Sequence, residues 1–360
     1  MNSPEDQLQG LVWVQKTFNL EPRWTVEPKN EATQGIIQTL YPLRKIHVHF
    51  LAQGALNKLY EVKIGDEVFV MRISLPVDPH YKTISEVTTL DWISRTTNIP
   101  VPRVLTSQSN RENPIGFEWI FMTKMPGKLL RELWHSLSFT AKSSLVREFA
   151  IYSGRLFRNQ LHGIGNIYKA ESVSNDILSD KATETLPTAN STYPANNPSL
   201  SEFPKGQSQP GVGRIVSMHF FWGSHILQDV YRGPYHSSRD WILSRLSLTE
   251  KDCRSTLDNL PSGDLGSDDE AEADDATRTL GIIGKLKELL PIVFPQNGDV
   301  TEPSIMVHDD LSSRNILLHD TGELAAVLDW ECVSALPVWN ACYYPDFLKG
   351  RPRRKEPDVN

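Results

Sequence analysis

The chain has 360 residues, of which 39% are hydrophobic and 22% charged, an ordinary globular composition with enough length for two lobes. Its net charge of −7 argues against a general nucleic-acid binder, because such proteins usually carry a basic excess. The three cysteines lack metal-ligand spacing, so they support neither a disulfide framework nor a zinc site.

The first segment, residues 1–45, mixes amphipathic and turn-rich pieces and is predicted to be an N-terminal extension. Its opening stretch MNSPEDQ carries acidic residues where a signal peptide would carry basic ones. No apolar run approaches the roughly 18 residues that a membrane span needs. We therefore expect a cytoplasmic protein without a membrane or nucleic-acid partner.

A β-hairpin is predicted in FLAQGALNKLYEVKIGDEVFVMRIS, residues 50–74. Apolar and charged residues alternate from Tyr60 to Ile64, Gly65 and Asp66 give a turn signal, and a second alternating strand follows. The hairpin predicts a β-rich first lobe.

Helices and one further strand follow. Apolar residues at helical spacing from Ile84 to Ile93 predict a helix that stops before Pro100. GFEWIFMTKMPG is predicted to be an apolar strand. TAKSSLVREFAIYSGRLFRNQLHGIG is predicted to be a long helix with Thr140 as its N-cap and Gly163 as its stop.

The composition predicts two polar interruptions of a larger second lobe. One is rich in Ser, Asn, Thr and Pro and is expected to be poorly ordered, and the other is acidic and is expected to be a solvated loop before a helix over 279–294. The predicted divisions are an extension 1–45, an N-terminal lobe 46–126, a C-terminal lobe 127–350 with inserts 171–213 and 262–278, and a tail 351–360.

The strongest chemical signal is VHDDLSSRNILL, residues 307–318, followed by VLDWE, residues 327–331. A carboxylate five residues before an Asn, and a second carboxylate after the next apolar run, suit a nucleotide–magnesium site because Mg²⁺ prefers oxygen ligands. Asp310 is the candidate base for an attacking hydroxyl, and Asn315 and Asp329 are the candidate metal ligands.

This loop and strand resemble the catalytic loop and metal-binding Asp of the aminoglycoside phosphotransferase / choline kinase-like family, which shares the protein-kinase fold. That family's loop reads H-G-D-x-x-x-x-N, followed by an apolar strand ending in D-W-E or D-F-E. The sequence is most similar to fungal members, which carry stretches like FLAQGALNKLYEV, GRIVSMHFFWG, RGPY and DLSSRNILL…DWECVSALP. The resemblance, from about residue 20 to about residue 350 outside the inserts, implies an α+β, two-lobed fold. Its N-terminal lobe would be a small antiparallel β-sheet, and its larger C-terminal lobe would be mainly helical.

The first lobe supplies the nucleotide-binding candidates. Gly54, with Asn57 nearby, lies in a loop of small residues where backbone N–H groups could approach phosphate. The resemblance implies that Arg72 is the phosphate-binding cation, that Val70 covers the adenine and that Glu86 pairs with Arg72.

The resemblance also implies that backbone groups near Thr123 and Met125 bind the adenine. His308 is expected from the sequence itself to brace the loop through hydrogen bonds and not to react. The predicted activity is ATP- and Mg²⁺-dependent transfer of the γ-phosphoryl group to a hydroxyl of a small molecule. Replacement of Phe-Gly by Trp330-Glu331, and the lack of an A-P-E segment, disfavour a protein kinase.

Two departures from the family pattern leave an alternative open. Asp309 replaces the usual Gly, and only 31 residues follow Asp329, where family members have further helices. The alternative is a catalytically inactive kinase-like binding or regulatory protein that is shortened at its C-terminus.

Overall fold

The computed structural model describes residues 8–17, 19–169, 210–261, 266–295, 298 and 300–349. Most of the predicted insert 171–213, residues 262–265 of the acidic tract and the predicted tail lie outside the described residues. Within the described part, every helix is too short or too polar to cross a membrane.

The strands in chain order are β1 Leu11–Gln15, β2 Leu20–Trp24, β3 Ile46–Gln53, β4 Asn57–Ile64, β5 Glu67–Ser74, β6 Val104–Gln108, β7 Glu118–Thr123, β8 Lys128–Leu129, β9 Leu161–His162, β10 Ile167–Tyr168, β11 Gly211–Val212, β12 Pro303–Val307, β13 Ile316–Leu318, β14 Leu324–Val327 and β15 Ser334–Pro337. The α-helices are α1 Asn30–Leu40, α2 Tyr81–Thr96, α3 Leu130–Leu133, α4 Phe139–Arg158, α5 Met218–Phe221, α6 Ser238–Asp258 and α7 Ser267–Val293. Short 3-10 turns occupy His225–Leu227, Val338–Ala341 and Asp346–Leu348.

A five-stranded antiparallel sheet in the order β3-β4-β5-β7-β6 forms the first lobe. The predicted hairpin is its β4-β5 pair, in which Asn57 lies opposite Ser74. Gly65 in the turn has a φ of 63°, a conformation that glycine adopts without steric cost. One face of β5 is buried in the core through Met71 and Ile73, so its alternate residues face the other way.

The segment before this sheet packs on the first lobe. β1 and β2 form an antiparallel hairpin, and α1 follows it. Trp24 contacts Phe117 edge-on with ring centroids 4.9 Å apart, and Ile37 of α1 is fully buried in the sheet's core.

Helix α2 contacts β6 and β7 of the first lobe and β10 of the second. Most of its buried side chains are polar: Lys82, Thr83, Ser85, Glu86, Thr88 and Thr89. Buried polar groups are costly unless they have partners. One partner comes from the second lobe, where the Asn166 side chain donates to the Ser85 hydroxyl at 3.5 Å.

The larger second lobe is mainly helical, with α6 packed along α7 and with two small three-stranded sheets, β15-β12-β9 and β14-β13-β8. Its core joins Phe149 of α4 to Ile316 of β13, Val327 of β14 and Trp330. This packing places the ends of β12, β13 and β14 next to each other. The predicted α+β, two-lobed fold, with a small antiparallel sheet in the first lobe and a mainly helical second lobe, is confirmed.

Two predicted boundaries of α4 are wrong. The N-cap is Ser138, whose hydroxyl accepts from the N–H of Ala141 at 3.1 Å, and not Thr140. The helix ends at Arg158, before Gly163, because the chain turns there into β9, which pairs with β12.

The acidic tract is also corrected. Residues 267–278 form the start of α7 and not a solvated loop. Acidic side chains in the first turn of a helix interact favourably with its dipole, and Asp269 also accepts from the N–H of Gly266 at 3.3 Å. Residues 211–212, predicted to lie in a polar insert, form β11 paired with β10.

Candidate functional site

Arg72 links the two lobes at the candidate site. Its side chain lies on the face of β5 away from the sheet's core, is only 6% exposed and forms an ion pair with Glu86 of α2. Its Nη1 also lies 3.9 Å from Oδ1 of Asp329 in the second lobe. The structure therefore brings together three predicted site residues from separate segments.

The loop between β12 and β13 holds Asp310 and Asn315. The side-chain amide nitrogen of Asn315 donates to both the carbonyl oxygen and Oδ2 of Asp310, each at 2.9 Å. Within the described residues, no hydrogen bond uses Asn315 Oδ1. The Asp310 side chain is exposed. The loop thus presents one exposed carboxylate and one uncommitted amide oxygen in a fixed relation.

Asp329 follows β14 in a left-handed conformation with a φ of 61°, which is uncommon for a residue with a side chain. Desolvation, and then the negative charge of Glu331, raise the pKa of Asp329 to about 7, although Arg72 acts in the opposite direction. Its side chain is nevertheless 38% exposed, so its oxygens are accessible where Arg72 of the first lobe meets Asp329 of the second, a region called the cleft below. Asp310 also raises this pKa, which puts the two carboxylates in one electrostatic neighbourhood.

Two hydrogen bonds of the Leu328 backbone hold the neighbouring Asp329 beside the loop. The N–H of Leu328 donates to the carbonyl of Asn315 at 2.8 Å, and His308 Nε2 donates to the carbonyl of Leu328 at 2.9 Å. Burial lowers the pKa of His308, which favours the neutral imidazole. Its ring also packs edge-on against Trp330 at 4.8 Å. His308 therefore braces the loop, as the sequence predicted.

Sequence reasoning missed Lys82, which lies behind this surface. Its Nζ is 2.6 Å from Glu331 Oε2, 3.1 Å from Asn57 Oδ1 and 3.3 Å from Ser74 Oγ. Its side chain is 1% exposed. One signal could have revealed it: Lys82 lies four residues before Glu86, so the two share a helix face.

Gly54 lies in the loop between β3 and β4, and Asn57 begins β4, as the sequence indicated. Asn57 donates to Glu331 at 2.7 Å and accepts from Ser74 at 2.8 Å, so its side chain is committed to the network behind the cleft. Gly54 is exposed in the loop, where its N–H donates to the carbonyl of Asn57 at 2.9 Å. A β-carbon at Gly54 would meet only that carbonyl, at 4.0 Å.

The remaining predicted residues lie along β5 and β7. Val70 is half-buried, on the same face of β5 as Arg72. The N–H of Thr123 donates to the carbonyl of Arg103 at 3.0 Å, so it is already used. In the described part of the chain, the backbone of Met125 has no backbone partner, so Met125 is better placed than Thr123 to bind a ligand.

The oxygen donors present fit a magnesium–nucleotide complex. No group of three or more His, Cys, Asp or Glu side chains among the described residues could hold a metal ion. A hard divalent ion here would instead use a carboxylate oxygen of Asp329, the uncommitted amide oxygen of Asn315, phosphate oxygens and water. Arg72 adds a positive charge beside that position.

A separate cavity of about 760 Å³ lies on another surface of the first lobe, where the start of α2 meets residues 109–118. His80, Arg111 and Glu118 are among its lining residues, and none of the predicted site residues lines it. The cavity is thus distinct from the Arg72–Asp329 cleft.

Comparison with known proteins supports the sequence resemblance. Residues 240–339 match the model of the phosphotransferase enzyme family. A subtelomeric hrmA-associated cluster protein of Aspergillus fumigatus is 25% identical over 331 residues, which cover 82% of this chain and 59% of that relative. Altered inheritance of mitochondria protein 9, mitochondrial, of Saccharomyces cerevisiae is 22% identical over 354 residues, with 91% and 53% covered. The resemblance to the family is confirmed.

Among solved structures, the aminoglycoside phosphotransferase APH(4)-Ia is similar with a TM-score of 0.43 and 14% identity, covering 85% of this chain and 73% of that chain. The chain spans little more than half the length of the curated relatives named above. The yeast relative's name places that protein in the mitochondrion, so a cytoplasmic location for this chain stays a prediction.

Proposed function

We propose that this chain, which resembles the phosphotransferase enzyme family, is an ATP- and Mg²⁺-dependent phosphotransferase. It would move the γ-phosphoryl group to a hydroxyl of a small molecule. One observation carries the proposal. The Arg72–Glu86 pair of the first lobe meets Asp329 of the second at 3.9 Å, beside a loop that exposes Asp310.

Each residue has a role that its surroundings support. Asp310 orients the acceptor hydroxyl and accepts its proton, because it is an exposed carboxylate held by Asn315. Arg72 offsets phosphate charge, and Glu86 keeps Arg72 in position. Asn315 and Asp329 would hold Mg²⁺, which when bound supplies charge neutralisation at the transferring phosphoryl group.

The adenine would lie between the lobes along β5 and β7. Val70 provides an apolar surface on the same strand face as Arg72, and the free backbone groups of Met125 provide hydrogen bonds. Thr123 would offer the adenine at most its carbonyl, because its N–H already donates to the carbonyl of Arg103. Gly54 leaves room for phosphate oxygens to approach the exposed loop, although its own N–H donates to the carbonyl of Asn57.

Nucleotide binding is the first test. Purified protein is titrated with ATP by calorimetry, in Mg²⁺ and again in EDTA, and wild type is compared with Asp329→Asn. We expect saturable binding that is tighter with Mg²⁺ and a much smaller Mg²⁺ effect in the variant. A well-folded wild type that binds no nucleotide under either condition contradicts the proposal.

Turnover is the second test. ADP release is followed across a panel of hydroxyl-bearing small molecules, and hits are repeated with Asp310→Ala. A hit that loses turnover in Asp310→Ala while keeping ATP affinity supports the assigned role. Equal turnover by the variant contradicts that role.

Asp309 favours the second candidate, a catalytically inactive nucleotide-binding or regulatory protein. Desolvation, and then the charge of the adjacent Asp310, raise the pKa of Asp309, so a second carboxyl group interacts electrostatically with the candidate base. ATP binding without turnover of any acceptor would favour this candidate. In that case Asp309→Gly, which restores the usual loop residue, is the variant in which to look for activity.

A further inference from the structure

Lys82 is a buried cation that the proposed chemistry does not use directly. An ammonium group has three N–H donors and no acceptor. Three oxygens lie close to the Lys82 Nζ, one for each donor: Glu331 Oε2 at 2.6 Å, Asn57 Oδ1 at 3.1 Å and Ser74 Oγ at 3.3 Å. Its side chain is 1% exposed, so no solvent competes for these contacts.

Lys82 and its three partners come from four segments of the chain. Asn57 begins β4, Ser74 ends β5, Lys82 lies in the first turn of α2, and Glu331 lies just after β14 in the other lobe. The partners also bond to each other, because Asn57 donates to Glu331 at 2.7 Å and Ser74 donates to Asn57 at 2.8 Å. One ammonium therefore joins the phosphate-loop hairpin to the segment that carries Asp329.

That segment needs an external tie. Asp329 and Cys332 both have left-handed backbone conformations, with φ of 61° and 58°, and such conformations persist only where surrounding contacts enforce them. Two residues lie between them. The first, Trp330, is anchored because its indole N–H donates to the carbonyl of Val327 at 3.0 Å. The second, Glu331, is held by its ion pair with Lys82.

The charges around Asp329 give Lys82 a second effect. Arg72, the other cation near Asp329, is already paired with Glu86 and also faces Asp329. Without Lys82, the carboxylates of Asp329 and Glu331 would compete for that one guanidinium. Lys82 therefore keeps Glu331 from competing with Asp329 for the Arg72 guanidinium.

We propose that Lys82 is a positioning residue for the metal–nucleotide site: it holds Glu331, and through Glu331 it keeps Asp329 in place to bind the metal ion. This inference rests on the proposed function. It assigns to Lys82 no contact with ATP, metal or acceptor. A purely structural ion pair would instead affect stability alone.

The test compares Lys82→Met with wild type and with Lys287→Met. The control breaks the ion pair between Lys287 of α7 and Glu250 of α6. The Lys287 side chain is 35% exposed. The first measurement is the ratio of ATP dissociation constants in EDTA and in Mg²⁺. The second is amide hydrogen exchange of the nucleotide-free protein over residues 324–334, and thermal unfolding checks that each variant is folded.

We expect Lys82→Met to lower the Mg²⁺-dependent gain in ATP affinity by at least about tenfold, since a buried charge pair loses one partner. Its ATP affinity in EDTA should change by less than about threefold, which is small on the free-energy scale. Exchange around residues 329–332 should accelerate in Lys82→Met and not in Lys287→Met.

Two further variants keep the inference testable if Lys82→Met does not fold. Lys82→Arg keeps the charge and should retain most of the Mg²⁺-dependent gain, whereas Glu331→Gln should lose part of it. A folded Lys82→Met, or a Glu331→Gln, that matches wild type in both the Mg²⁺ ratio and the exchange rates overturns the inference and leaves the proposed function standing. If wild type binds no Mg-ATP, the proposed function fails, and the inference fails with it.

Discussion

Replacing Arg72 tests whether the Arg72–Glu86 ion pair is buried and whether Arg72 serves the nucleotide. Arg72→Met leaves Glu86, whose side chain is 2% exposed, as an unpaired buried carboxylate. Removing one partner of such a pair typically costs about 3–5 kcal/mol of unfolding free energy. The matched control, Arg254→Met, breaks an exposed helical pair with Glu250 and should cost less than about 1 kcal/mol.

A double variant separates stability from binding. Arg72→Met/Glu86→Leu replaces both charges by apolar groups, which often restores most of the lost stability. Its Mg-ATP affinity should still be lower by about tenfold or more, because a hydrogen bond to a charged group contributes about 1.5–3 kcal/mol.

The assays are urea unfolding followed by circular dichroism and ATP titration by calorimetry. If Arg72→Met costs no more than Arg254→Met, the pair is not buried as the structure has it. If the double variant binds Mg-ATP as tightly as wild type, Arg72 does not meet the phosphates.

Three further predictions concern chemistry, pH and backbone shape. Asp310→Ala should abolish phosphoryl transfer to any acceptor that wild type turns over, with ATP affinity kept within about threefold, as rate assays and titrations will show. The raised pKa of Asp329 leaves this carboxyl group partly protonated near neutral pH, so Mg-ATP affinity should rise several-fold from pH 6 to pH 8. ATP also titrates in this range. Asp329→Asn should therefore lose only the part of the pH dependence of affinity that the titration of ATP does not explain. Gly127→Ala should lower the unfolding free energy by about 2 kcal/mol or more in urea titrations, because Gly127 has a φ of 103° and a β-carbon would lie 2.6 Å from the carbonyl oxygen of Leu318. Gly54→Ala, whose β-carbon meets nothing closer than 4.0 Å, should leave stability within about 0.5 kcal/mol.

Local pattern was sufficient for the parts of the protein whose contacts are local. The alternation from Tyr60 to Ile64 and the Gly65 turn predicted the β4-β5 hairpin, because strand period and turn conformation are properties of adjacent residues. The Asp310–Asn315 hydrogen bond likewise spans only five residues, so the motif carries its own geometry.

Helix ends were predicted less well, although their causes are also local. Ser138 and Thr140 are both good capping residues, and only the path of the chain into α4 decides that Ser138 accepts the N–H of Ala141. The acidic tract was interpreted from its charge as a loop, whereas the same charges suit the first turn of α7.

The sequence by itself determined the order of lobes, the hairpin and the loop that carries Asp310 and Asn315. Only the tertiary structure decided that Lys82 lies beneath the site and that Asn57 bonds to Glu331, 274 residues away. Periodicity records which face of an element is buried, and it predicts an apolar core there. It cannot predict a buried ammonium, because the oxygens that make its burial tolerable come from segments that meet only when the two lobes close on α2.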